Sequence, residues 1–325
     1  MTWEQRLGAV AAHGFTERQA GFLVTVMLHA GVCLGRHYCA YARIAHGQKM
    51  HDFFQRLLDR GHATVRTCGH NTARLYHVHP KSLYEAIGER DNRHRKPTPL
   101  ARAVERLMLL DAVLAERERT WLATERDKLE YFTFTQPVPR RDLPALVFRA
   151  ESGETIRYFP DKLPIAVGRG GQTFLLLYLI TRPTPIDFRA FLERQAALLR
   201  VLPAWTLRLL VPQHLTDVVE VYQRAFREQL AMPLPDRTLD ELRWYFQAQR
   251  ATPLIRDARF NRAARAFGAP RFRALYRAWL ERGERVLEST LSPVLADTIN
   301  RQISQLECHV LPRRYLHLLP LVGTA

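Results

Sequence analysis

The chain has 325 residues, 47% of them hydrophobic, enough to bury a sizeable core and to form two or three domains. This composition excludes a disordered chain, and the longest apolar run, Phe174 to Ile180, is far short of the roughly 20 residues that a membrane span needs. Forty-eight basic against 32 acidic residues give a formal charge of +16, which points to a polyanionic partner, most commonly nucleic acid.

Only five of the cations are lysines (Lys49, Lys81, Lys96, Lys128 and Lys162), so the excess is arginine, whose planar fork grips phosphates and guanine edges. An arginine-rich proteome from GC-rich DNA is the alternative source of the charge, so its placement matters more than its sum. Four cysteines, Cys33, Cys39, Cys68 and Cys308, are too scattered for a disulfide framework. With no opening stretch that resembles a signal peptide, the expected location is the cytoplasm, with no membrane partner.

Taken in chain order, Thr16-Glu17-Arg18-Gln19 has capping-box spacing, and Phe22, Leu23, Val26 and Met27 then recur at helical spacing up to Ala30. A short helix follows over about His37 to Ala45. After the break at His46-Gly47, a third helix runs from Gln48 to Arg60 and ends at Gly61. In it Met50, Phe53, Phe54, Leu57 and Leu58 form one apolar stripe, which leaves Gln48, Lys49, His51, Asp52, Gln55 and Arg56 facing outward. Two extended segments, Ala63 to Cys68 and Arg74 to Val78, are joined by Gly69-His70-Asn71-Thr72, a hairpin turn by composition. Three helices and a hairpin make the order of a winged helix-turn-helix, with the third helix offered to the major groove and the hairpin to the flanking backbone or minor groove. The expected DNA contacts are therefore the six outward residues of the third helix, with Arg66, His70, Asn71 and Arg74 on the hairpin. A protein-interaction module without DNA is the alternative use of such a unit.

Phe15-Thr16-Glu17-Arg18-Gln19 at the first helix, and Phe53-Phe54-Gln55-Arg56-Leu57-Leu58-Asp59-Arg60-Gly61-His62-Ala63 leading into an arginine-bearing hairpin, resemble the winged-helix region of the plasmid replication-relaxation family of mobile-element DNA-binding proteins. The resemblance covers about residues 10 to 90 and implies DNA binding in a mobile-element setting.

Glu89 to Pro99 reads as a charged linker. Leu100 to about Tyr131 then reads as one long helix, with Val104, Leu107, Met108, Asp111, Leu114 and Trp121-Leu122 on or near one face. A helix that long needs a partner, and pairing with a second subunit, a homodimer, is favoured over packing on its own chain. From Ala145 to Pro212 the pattern turns to strands at 146–148, 155–159, 163–167 and 174–180, a helix over 186–201, and a strand at 207–211. This order, with Pro160-Asp161 at a strand, is similar to the core of the Pro-Asp…Asp/Glu-x-Lys nuclease superfamily. That superfamily needs a second acid and a lysine on the next strand to hold a divalent metal. Here Leu175-Leu176-Leu177-Tyr178-Leu179-Ile180 stands there, so a fold of this kind without its catalytic site is expected.

The remainder is helical in pattern, with segments at 216–230, 239–249, 258–267, 272–287 and 293–308. Ala42 to Gly61 aligns without gaps with Ala264 to Gly283, which makes the latter a candidate second helix-turn-helix with Arg271, Arg273 and Arg277 as its exposed basic face. Cys33-x3-His37-x-Cys39 with His46, and His77-x-His79, lack a paired Cys-x2-Cys, so buried structural cysteines are expected and no metal. The histidines are expected on the DNA face or as polar surface. Gly168-Arg169-Gly170-Gly171 precedes a strand and lacks the Lys-Ser/Thr of a phosphate loop, so it reads as a tight turn.

Taken together, these patterns predict an α+β, predominantly helical protein. Residues 1–88 form the winged helix-turn-helix, 89–135 a linker and long helix, 136–215 a small central α/β domain, and 216–325 a helical domain. The expected function is sequence-specific binding of double-stranded DNA, as a transcriptional regulator or accessory factor of a mobile element or phage-defence locus. It involves no catalytic residues and no cofactor. A nuclease-like subunit of a nucleic-acid enzyme and a protein-binding adaptor are the alternatives. The operator and any small-molecule effector are not legible in the sequence.

Overall fold

The computed structural model describes residues 1–67, 74–150, 153–232, 234–251, 257–290, 293–312 and 315. The protein is mixed α+β, 57% helical and 17% strand. The chain forms two compact units, one of Met1–Ala123 with the segment from Val310 onward, the other of Thr124–His309.

The first unit opens with α1 (Trp3–Ala11) and α2 (Glu17–His29), and both start at capping boxes. Thr2 and Gln5, and likewise Thr16 and Gln19, each offer a side-chain oxygen to the other's backbone N–H, which satisfies two donors that a helix start leaves open. Every residue of α2 from Ala20 to His29 is buried, so this helix forms the centre of the unit rather than an amphipathic surface. Gly31 ends it with φ +71, and a Cβ there would stand 2.3 Å from the His94 carbonyl oxygen, so only glycine fits.

Then come β1 (Val32–Leu34), α3 (Gly35–Ala42), α4 (Gln48–Asp59), β2 (Ala63–Thr67) and β3 (Arg74–Val78), followed by α5 (Lys81–Ala86) and α6 (Leu100–Ala115). The strands form an antiparallel sheet in the order β1-β3-β2. The first helix, the third helix and the hairpin strands lie where the sequence pattern puts them. α1 and β1 are unforeseen, and α3 starts earlier than expected, at Gly35, and ends earlier, at Ala42, where Arg43 adopts the left-handed conformation (φ 54).

The long helix expected from Leu100 to Tyr131 does not form. α6 ends at Ala115, and β4 (Thr120–Leu122) and α7 (Glu125–Glu130) follow. Neither glycine nor proline causes the break. Arg117 instead turns its guanidinium to the last carbonyls of α3, at Ala40 and at Tyr41 (2.8 Å), and Thr124 opens a new capping box with Asp127. The apolar face of α6, with Val104, Leu107, Leu110 and Val113 buried, packs against α2, α3 and β1 of its own unit, which removes the reason for expecting it to pair with a second subunit.

In the second unit, β5 (Ala145–Ala150) and β6 (Gly153–Tyr158) make a separate hairpin. β7 (Ile165–Val167) pairs antiparallel with β8 (Thr173–Leu179), which pairs parallel with β9 (Ala204–Val211). The parallel pair is connected by α8 (Ile186–Val201), as a parallel crossover requires. Beyond β9 lie α9 (Val219–Phe226), a π-helical turn over Arg227–Ala231, α10 (Asp236–Arg250), α11 (Ala258–Ala266), α12 (Pro270–Arg282), α13 (Arg285–Thr290), α14 (Pro293–Asn300) and β10 (Gln305–Val310).

Two helices expected here are divided. Gly283, at φ 74, separates α12 from α13, and the last segment ends as a strand because Gln305–Val310 adds to the sheet beside β9. Asp161 lies in a turn after β6, between Phe159 and Lys162, both at positive φ, and not on a strand. Among the described residues no helix is long and apolar enough to cross a membrane.

Candidate nucleic-acid interface

α4 is held by rings. Met50, Phe53, Phe54 and Leu57 are buried, and Phe53 stacks on Tyr38 of α3 at 4.2 Å while Phe54 stacks on Tyr76 of β3 at 4.0 Å. Phe15 and Phe22 meet Phe53 edge-on at 6.5 and 6.0 Å. One aromatic cluster therefore sets α3, α4 and the hairpin in a single geometry, with contacts worth about 0.5–1.5 kcal/mol per ring pair beyond burial. α3 and α4 approach closely at Gly35, where a Cβ would come within 2.9 Å of the Met50 sulfur.

With that stripe turned inward, Gln48, Lys49, His51, Asp52 and Gln55 are exposed and Arg56 is half-buried. Two of the face's polar pairs are closed on the helix itself. Gln48 Nε2 donates to Asp52 (2.6 Å) and Gln55 Nε2 to Asp59 (2.8 Å), so the acids are engaged by amides and the cations Lys49 and Arg56 stand beside them. Arg43, exposed in the turn just before α4, adds a cation that the sequence reading missed. Its signal was its place at the C-terminus of α3, where a left-handed residue is common.

On the hairpin Arg66 and Arg74 are both exposed, but they lie on opposite faces. The register pairs Arg66 with Leu75 and Thr67 with Arg74. Because side chains alternate along a strand, Arg74 shares the face of Tyr76, which packs on α4, while Arg66 shares the face of Leu75 and His77. Of the two, only Arg74 is therefore on the α4 side. His70 and Asn71 lie outside the described residues.

α3 is anchored from behind by a polar cluster. Arg36 donates twice to Asp111 of α6, at 2.5 and 2.7 Å. His37, fully buried, accepts the Leu34 N–H on Nδ1 (2.9 Å) and turns Nε2 to Asp111 at 3.3 Å. Tyr315 donates its hydroxyl to the same carboxylate. Burial alone would raise the Asp111 carboxyl, but the hydrogen bonds from His37 and Arg36 outweigh it and hold the group well below the usual carboxylate range. The expectation of surface histidines thus fails for His37, and also for His29 and His94, which are buried. The reason is that each lies where two elements meet, which spacing along the chain does not show.

The second basic face is only partly realised. Arg273 and Arg277 are exposed, but Arg271 is buried, donates to the Met232 carbonyl (2.6 Å), and is pushed down to about 10 by that burial. One side of α12 carries Leu275, Ala278 and Trp279 into a core with Phe246, Phe260 and Phe267, and the helix also packs on α8, so Arg271 is turned into the packed side. Arg273 Nε donates to the Gly268 carbonyl at 3.1 Å.

Asp161 is paired with Arg194 of α8 through two hydrogen bonds. Among the described residues no group of three or more His, Cys, Asp and Glu is placed to hold a metal ion. No protein family matches the chain, and no curated protein or solved structure is significantly similar to it.

Proposed function

We propose that the protein binds double-stranded DNA in a sequence-specific way, with its N-terminal unit acting as a winged helix-turn-helix. In this reading α3 and α4 are the helix-turn-helix, α4 enters the major groove, and β2 and β3 are the wing. The observation that carries it is the exposed polar face of α4, where the amides Gln48 and Gln55 and the cations Lys49 and Arg56 stand with Asp52 and Asp59, flanked by Arg74 on the α4 side of the hairpin and Arg43 in the turn before it. Amide and cationic side chains are the ones that pair with adenine and guanine edges, while arginines at the margin suit phosphates. The charge of +16 supports the same partner. The resemblance to the plasmid replication-relaxation family adds the setting, a regulator or accessory factor of a mobile element.

The second unit is read as non-catalytic. Asp161 is engaged by Arg194, and β8 presents Leu175, Leu176 and Leu177 where a nuclease would hold its second acid and lysine.

The test starts with selection of bound fragments from genomic DNA by the full chain, followed by affinity measurements on the best site with Lys49 and Arg56 replaced by alanine. Base-edge contacts contribute about 1–3 kcal/mol each, so the double variant is expected to bind the selected site at least about tenfold more weakly. Unchanged affinity and sequence preference would remove α4 as the reading helix.

A further inference from the structure

Behind the hairpin, on the face opposite the one that meets α4, lies a cavity of about 180 Å³. It is contained within the first unit, between the sheet and the chain that enters α6. Its floor is aliphatic, from Val32, Leu75 and Leu100, and its rim is polar, from Thr64, Arg66, His77 and Thr98. Among the described residues that line it, none is acidic.

Positive charge gathers around this space. Burial pushes the His77 imidazole below its usual value. The hydrogen bond from its Nε2 to the His94 carbonyl (3.0 Å) opposes that shift, while the neighbouring His79 and the guanidinium groups of Arg106 and Arg66 reinforce it. Two guanidinium groups, Arg66 and Arg106, thus act on a residue that lines the cavity, and a field of that sign favours an anion.

Size narrows the class of occupant. A cavity of about 150 Å³ with apolar walls takes a benzene-sized guest, whereas sites for drug-sized ligands begin near ~300 Å³. Inorganic phosphate would leave the aliphatic floor uncovered, and a neutral hydrocarbon would make no use of the Arg66 guanidinium at the rim.

We propose that this cavity is a binding site for a small organic carboxylate of about benzoate size, its apolar body on Val32, Leu75 and Leu100 and its carboxylate held by Arg66 between the hydroxyls of Thr64 and Thr98. A guanidinium meets a carboxylate through two parallel N–H donors, a geometry that an ammonium cannot reproduce. The site goes beyond the DNA-binding reading and does not depend on it.

Calorimetric titration of the full chain with benzoate, without DNA, tests the proposal, with benzyl alcohol and inorganic phosphate as comparison probes. Saturable one-site binding of benzoate is expected, with benzyl alcohol at least about tenfold weaker, since a hydrogen bond to a charged group is lost, and no saturation with phosphate. Arg66→Gln should weaken benzoate at least about tenfold and leave benzyl alcohol unchanged, while Thr64→Phe, which fills the space, should remove both. Arg66 and Thr64 are exposed on a strand, so the fold should survive either change, and Arg66→Gln alone decides if Thr64→Phe misfolds. The proposal is overturned by an absence of saturable benzoate binding up to about 10 mM. It is equally overturned by equal affinity in Arg66→Gln, or by phosphate binding as tightly as benzoate.

Discussion

Replacing Asp111 with asparagine should loosen α3, and the loss should depend on pH in a definite direction. The asparagine keeps one acceptor but presents an amide N–H₂ where Arg36 needs a second oxygen, and it removes the negative charge shared by Arg36, His37 and Tyr315. Breaking a fully buried pair costs about 3–5 kcal/mol. Arg36 keeps 29% of its side chain in water, so about 2–4 kcal/mol is expected for the first unit near pH 7. Because the folded carboxyl is held below its unfolded value of about 3.9, its contribution is fully present above that pH and is lost as pH falls through the folded value. The deficit of the variant should therefore shrink from about pH 4 downward. Denaturant unfolding, combined with hydrogen exchange of the α3 and α6 amides, reads both the size and the place of the effect. A variant as stable as the natural chain at pH 7, or a deficit of constant size down to pH 2, would refute the cluster as the anchor of α3.

Arg74→Ala should weaken DNA binding evenly across sequences and lower the slope of log affinity against log salt by about 1, while Arg66→Ala should change it less. An equal or larger loss with Arg66→Ala would contradict the assignment of the α4 side as the DNA side. His77 is held neutral in the fold by burial, so stability from this group is present above about pH 6.5 and declines as pH falls and the unfolded chain takes up the proton. His77→Gln, which keeps a donor for the His94 carbonyl, should flatten the change in denaturation midpoint between pH 5 and 7, and an unaltered slope would rule out His77 as its source. Asp161→Ala should destabilise the second unit by about 2–4 kcal/mol through the loss of the Arg194 pair. Neither it nor the natural chain should cleave DNA with Mg²⁺ or Mn²⁺, and metal-dependent cleavage that disappears in the variant would restore a nuclease reading.

Local signals were sufficient for much of this protein. Thr16 and Gln19 mark the start of α2 because a capping box is made within four residues. The stripe of Met50, Phe53, Phe54 and Leu57 marks the inner face of α4 because a helix repeats every 3.6 residues, and so the outward set from Gln48 to Arg56 followed by subtraction. The turn composition of Gly69 to Thr72 between two extended segments likewise placed β2 and β3. What needed the tertiary structure were the events that join distant parts of the chain. Arg117 reaches back to Ala40 and Tyr41, and with Thr124 it stops a helix that the apolar pattern would have continued. Asp111 takes up Arg36, His37 and Tyr315. Arg271 turns inward under the packing of α12, and cross-strand register puts Arg66 and Arg74 on opposite faces. Periodicity records which face of an element is apolar, whereas a buried polar group is stable only where a partner from elsewhere in the chain meets it, and that meeting is decided by the three-dimensional packing alone.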